Sequence, residues 1–65
     1  MSNLNLAKQY IKEQLVSRGL DQYGQIRIDF SGLCTEAETK IAANALRFET
    51  YPGEGQGVWW LVKED

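Results

Sequence analysis

Three groups of side chains in this 65-residue chain have types and spacing suited to chemistry. They are the glycine run Gly53-Glu54-Gly55-Gln56-Gly57, the thiol of Cys34 near the hydroxyl of Ser31, and the carboxylates Asp29 and Glu49. A glycine run cradles phosphate when a strand precedes it and a helix follows, because the helix N-terminus then meets the anion. Here the β-prone run "VWWLVK" follows, no Lys-Ser or Lys-Thr pair is present, and Glu54 puts a negative charge where phosphate would sit. The run is therefore expected to be the mobile bend of a hairpin.

Cys34 immediately precedes a helix start, a place where a thiol pKa can fall. A nucleophile also needs a base, and the chain has no histidine to serve Cys34 or Ser31. Cys34 is expected to behave as a small apolar residue tucked at the helix start. Asp29 and Glu49 read as solvated partners of Arg27 and Arg47, since nothing in the pattern raises the pKa of one carboxyl above the other. With one cysteine and no histidine, zinc, haem and iron–sulfur ligation are not expected. Neither a cofactor nor a metal is expected, and the expectation is a protein that is not an enzyme.

Length and charge narrow the alternatives. A chain of 65 residues is read as a single small globular domain spanning 1–65. Such a chain buries only about 60% of its unfolded surface and has little room for a deep cleft. The net charge of −2 lacks the basic field of a duplex-DNA binder. No apolar run approaches the roughly 20 residues of a membrane span, and Met1 to Ala7 lacks the basic and apolar regions of a signal peptide. A cytoplasmic location without membrane contact is expected.

The elements that must position these residues follow from periodicity. Leu4, Ala7, Ile11 and Leu15 form one helical stripe, with Ser2 or Asn3 as cap and Gly19 suited to the left-handed stop. Asp21 to Gly24 reads as a turn. "QIRIDF" then alternates, with Ile26, Ile28 and Phe30 on one side and Gln25, Arg27 and Asp29 on the other. A second helix opens with a capping box of Thr35 and Glu38, and its expected stripe is Ala37, Ile41, Ala45 and Phe48. Its alanines would allow a close approach to a sheet, while Lys40, Asn44 and Arg47 face outward. Two β-prone runs around the glycine bend complete the order helix, strand, helix, strand, strand.

A hairpin makes the last two strands antiparallel, and a helix joins the first two, which are expected to run the same way. Placing the third strand in the middle makes every neighbour pair antiparallel, and its apolar composition on both faces suits a central position. The fold class is thus α+β, with a three-stranded antiparallel sheet in order 1-3-2, two helices on one face and the other face open. If Val58, Trp60 and Val62 join the core, then Trp59, Leu61 and Lys63 face outward with Tyr51, Glu49, Arg47, Arg27 and Asp29, and with Glu54 in the loop at the edge. A one-residue slip of the hairpin exchanges Trp59 with Trp60.

An exposed tryptophan beside Tyr, Leu and Arg has the composition of a protein interface hot spot. The expected function is a non-enzymatic protein-binding module, of the sort a phage or mobile element would use as an inhibitor or adaptor against a host complex. A homodimer is a second possible use of the same face. The alternative is a nucleic-acid binder, which would stack single-stranded bases on the face or use the hairpin as a wing.

Overall fold

The computed structural model describes residues 2–64 and contains α1 (Leu4–Ser17), β1 (Gln25–Asp29), α2 (Glu36–Ala45), β2 (Phe48–Pro52) and β3 (Val58–Lys63). The strands form one antiparallel sheet in the order β1-β3-β2, as the connections dictate. α1 packs on β1 and on α2, and α2 packs on β2. No helix among the described residues is long and apolar enough to cross a membrane.

α1 buries the expected stripe, with Ala7 and Ile11 fully enclosed and Leu4 and Leu15 packed against the same core. Its start differs from a simple Asn cap. The Leu4 N–H is taken by the Ser2 hydroxyl at 3.1 Å, while the Asn3 amide nitrogen crosses to the Leu33 carbonyl at 3.1 Å. Gly19 ends the helix at φ 74°, a backbone state that glycine adopts without steric cost. The Asp21 carboxylate then accepts the N–H groups of Tyr23 and Gln25, which turns the chain into β1.

α2 carries the capping box in full, with Thr35 Oγ1 accepting the Glu38 N–H and the Glu38 carboxylate accepting the Thr35 N–H. Its buried face is Thr39, Ala42 and Ala43, with Leu46 beyond, so the expected stripe of Ala37, Ile41 and Ala45 is corrected. Ile41 is 54% exposed. Small residues win the inward positions because they let the helix backbone approach the sheet. The buried Thr39 hydroxyl costs little there, since it donates to the Thr35 carbonyl at 3.0 Å and lies 3.2 Å from Cys34 Sγ. Phe48, expected to extend this helix, is buried as the first residue of β2.

Glu38 also joins the two helix starts. One carboxylate oxygen holds Thr35; the other accepts the Asn3 N–H at 2.6 Å and the Ser2 hydroxyl at 3.3 Å. These hydrogen bonds, led by the one from the Thr35 backbone, hold its pKa below the ordinary glutamate value. A carboxyl whose pKa is depressed by folding stabilises above its unfolded pKa and loses that contribution as pH falls through the folded value. Glu38→Gln is therefore expected to be less stable than the parent at neutral pH, with the gap closing below pH 4.5, in urea unfolding followed by circular dichroism. A gap that stays constant down to acid pH would show that the Glu38 charge has no part in the clasp.

The chain leaves α2 through Arg47, the only non-glycine with positive φ among the described residues, at 67°. Its N–H bonds the Asn44 carbonyl at 3.0 Å and its carbonyl accepts the Glu64 N–H at 3.1 Å, so the turn is held in place despite the strain. Left-handed backbone costs an L-residue roughly 1–2 kcal/mol. Arg47→Gly is expected to raise unfolding stability by up to about 1 kcal/mol, once the entropy of a freer unfolded chain is counted. A loss of stability on this substitution would mean that the arginine side chain holds the turn.

Candidate functional site

The candidate site is the sheet face that no helix covers, and the pairing register composes it row by row. Arg27, Trp60 and Tyr51 lie across β1, β3 and β2 in one row. Gln25, Val62 and Glu49 form the next row towards one end, and Asp29 with Val58 lies towards the glycine hairpin. Arg27, Tyr51 and Glu49 are exposed, while Trp60 and Val62 are half-buried between their neighbours.

This register corrects the expected side of β3. Ile26 pairs with Leu61 and Ile28 with Trp59, so Leu61 and Trp59 point to the helices while Trp60 points to the open face. Leu61 is 0% exposed and sits in the core. Trp59 packs at the core's rim, with Lys40 Nζ 5.2 Å from its ring centroid. Lys40 in turn bridges to Glu36 at 3.4 Å. Lys63 shares the parity of Leu61 and stands exposed opposite Phe48. Trp59, Leu61 and Lys63 thus leave the predicted interface, and Trp60, Val62 and Gln25 enter it.

Leu61 is enclosed with Ala7, Ile11, Ile26, Ile28, Phe30, Ala42 and Ala43, whereas the larger indole of Trp59 packs at the edge of that cluster. Val58 is buried for a reason that the count of apolar residues on each face does not register. The hairpin covers it: a Cβ on Gly53 would lie 2.7 Å from Val58 Cγ1, so Val58 is enclosed although it belongs to the open face. The usable signal was the two-residue alternation of β1, once matched to a register closed by the Gly53 N–H bond to Val58 and the Phe30 N–H bond to Gly57.

The polar groups of the face hold one another in place. Tyr51 donates its hydroxyl to Glu49 Oε2 at 3.0 Å, two residues along the same strand. That hydrogen bond, with the glutamate charge, raises the tyrosine pKa and keeps the phenol protonated. Asp29 accepts from the Ser31 hydroxyl at 2.6 Å and from the Ser31 N–H, with the hydroxyl contributing most to holding its pKa below the usual value. Arg47 lies at the far end beside Glu49, Val62 and Glu64, and Glu54 is exposed at the hairpin tip. The structure therefore gathers Arg27, Tyr51 and Glu49 around Trp60 but sets Arg47 and Glu54 at opposite ends.

A second concavity, of about 650 Å³, opens on the helix side between the hairpin and the start of α2. Cys34, Thr39, Pro52, Trp59 and the loop glycines line it, so the glycine run and the thiol share one cleft. The Cys34 sulfur is half-buried and lies beside the Thr39 hydroxyl, with no carboxylate or amine bonded to it among the described residues. No group of three or more His, Cys, Asp or Glu among the described residues is arranged to hold a metal ion.

Truncation separates the two sides of β3. Leu61→Ala is expected to cost about 2–5 kcal/mol, the usual range for a fully buried leucine. Trp60→Ala is expected to cost about 1 kcal/mol or less, the scale of a lost cross-strand pair. Denaturant unfolding of both variants measures this, and equal losses would reverse the assignment of faces. Comparison with protein-family models, curated proteins and solved structures finds no match to this chain.

Proposed function

We propose that the protein is a non-enzymatic docking module that binds another protein through its open sheet face. The observation that carries this reading is the row Arg27–Trp60–Tyr51, a half-buried indole flanked by an arginine and a tyrosine on a face without helices. Trp, Tyr and Arg are the side chains that most often dominate interface energy when a partner desolvates them. β3 is hydrogen-bonded to strands on both sides, so Trp60 is presented by the most constrained strand of the sheet. In a complex, Trp60 and Val62 would supply the apolar centre, and Arg27, Gln25, Glu49 and Tyr51 the polar rim.

A small acidic domain with such a face suits an inhibitor or adaptor of the kind phages and mobile elements carry, acting by occupying a host protein's surface. The net charge of −2 and the glutamate that holds Tyr51 favour a protein over a nucleic-acid strand as the occupant.

A photo-reactive phenylalanine analogue tests this reading when placed at Tyr51 or Val62, and at the exposed Ile41 of α2 as a control. In the cell of origin, positions 51 and 62 should give the same crosslinked protein, position 41 should not, and Trp60→Ala should abolish the product. Crosslinks from position 41 alone, or products untouched by Trp60→Ala, would remove the open face as the docking surface. A crosslink to RNA or DNA that fades steeply with salt would favour the nucleic-acid reading instead.

A further inference from the structure

We infer that a second copy of the chain covers the open face in the free protein, through a twofold axis running along β3. This rests on the docking reading of the face and assigns that face its resting partner.

The arrangement of charge on the face favours this pairing. The two outer strands of the face differ: β1 brings Arg27 and Gln25, whereas β2 brings Tyr51 and Glu49 at the same levels. Stacking two such faces about an axis parallel to β3 lays β1 of each copy over β2 of the other and keeps every row level. Arg27 of each copy then meets the ring of Tyr51 and the carboxylate that holds its hydroxyl, while Gln25 meets Glu49. An axis across the strands would instead lay β1 on β1 and β2 on β2, and so keep Arg27 of each copy away from Tyr51 and Glu49 of the other.

Both charges are available for this pairing. Among the described residues the salt bridge formed is Lys40–Glu36, on the other side of the molecule, and Arg27 meets the neighbouring Asp29 only through space, as a charge that helps lower the aspartate pKa. Glu49 is exposed, and its one side-chain hydrogen bond among the described residues comes from Tyr51 through Oε2. An arginine over a tyrosine face gains a cation–π contact as well as the carboxylate. Trp60 and Val62 lie on the axis and supply the apolar centre. Packed sheets cross at about 30°, which swings the Glu64 ends of the two copies apart.

Area sets the strength of the pair. Three strands of about six residues give a flat footprint of roughly 300 Å². Even doubled for side-chain relief, that stays below the about 800 Å² per partner of a standard stable interface. The pair is therefore weak and exchangeable. It shields Trp60 in the free protein and yields to a partner that wraps a larger surface.

Sedimentation equilibrium from about 10 µM to about 1 mM covers the affinities expected of such a pair. The mass should rise towards that of a dimer, and Arg27→Glu and Glu49→Arg should each weaken association by about tenfold or more. The double variant R27E/E49R should recover it, because only the reciprocal contact restores complementary charge. Circular dichroism verifies that these exposed positions leave the fold intact. A monomer throughout the range would overturn the inference, as would a dimer that neither single variant weakens or an R27E/E49R double variant without recovery. A monomer whose position 51 still crosslinks to a different protein would end the self-pairing while leaving the docking reading in place.

Discussion

The position of Leu61 between Ile26 and Thr50 is the constraint on which the rest of the structure depends. β3 is hydrogen-bonded along both edges, and its side chains alternate between a helix layer and solvent. Once Leu61 occupies the core, Trp59 falls at the rim and Trp60 on the open face with no further freedom. Four bonds beyond the strand ends lock this register. Gly53 to Val58 and Phe30 to Gly57 close the hairpin end, while Lys63 to Gly24 and Glu64 to Arg47 close the other. A slip of one residue would expose Leu61, drive an indole against two alanine-faced helices, and break all four.

The helix layer works with the sheet through economy of size. Ala7, Ala42, Ala43 and Thr39 bring backbone close to backbone, so a chain of this length encloses a core with few large side chains. Glu38 ties the start of α1 to the cap of α2, adding polar contacts to the packing between the two helices. The hairpin uses the same device: Gly53 lies over Val58, and Gly57 lies so close to Ser31 that a Cβ would come within 2.9 Å of it. The glycine run is thus a packing element as well as a bend.

The sheet's other side shows the opposite balance. Its apolar centre is only two side chains wide and its rim is charged, an arrangement suited to reversible contact rather than to permanent burial. The functional and self-pairing readings draw on the same row, and they compete for it. A resting pair of small area and a larger partner surface would give a face that is shielded when free and open to displacement.

Much of this was legible in the chain itself. The capping box of Thr35 and Glu38, the alternation from Gln25 to Phe30 and the Gly19 stop are local devices, set by hydrogen bonds and backbone freedom within a few residues. Strand order followed from connection length and the apolar composition of β3. The buried face of α2 was less legible, because Thr39 hides its hydroxyl in a bond to its own helix and so behaves as a core residue. The side of β3 that faces the helices was not decided by composition at all. "VWWLV" is apolar at every position, so either parity satisfies the pattern, and adjacent tryptophans look equivalent along the chain. Only the cross-strand partners and the loop closure distinguish them. The sequence by itself therefore determined the elements, their order and the presence of one surplus tryptophan, and tertiary packing alone decided that it is Trp60.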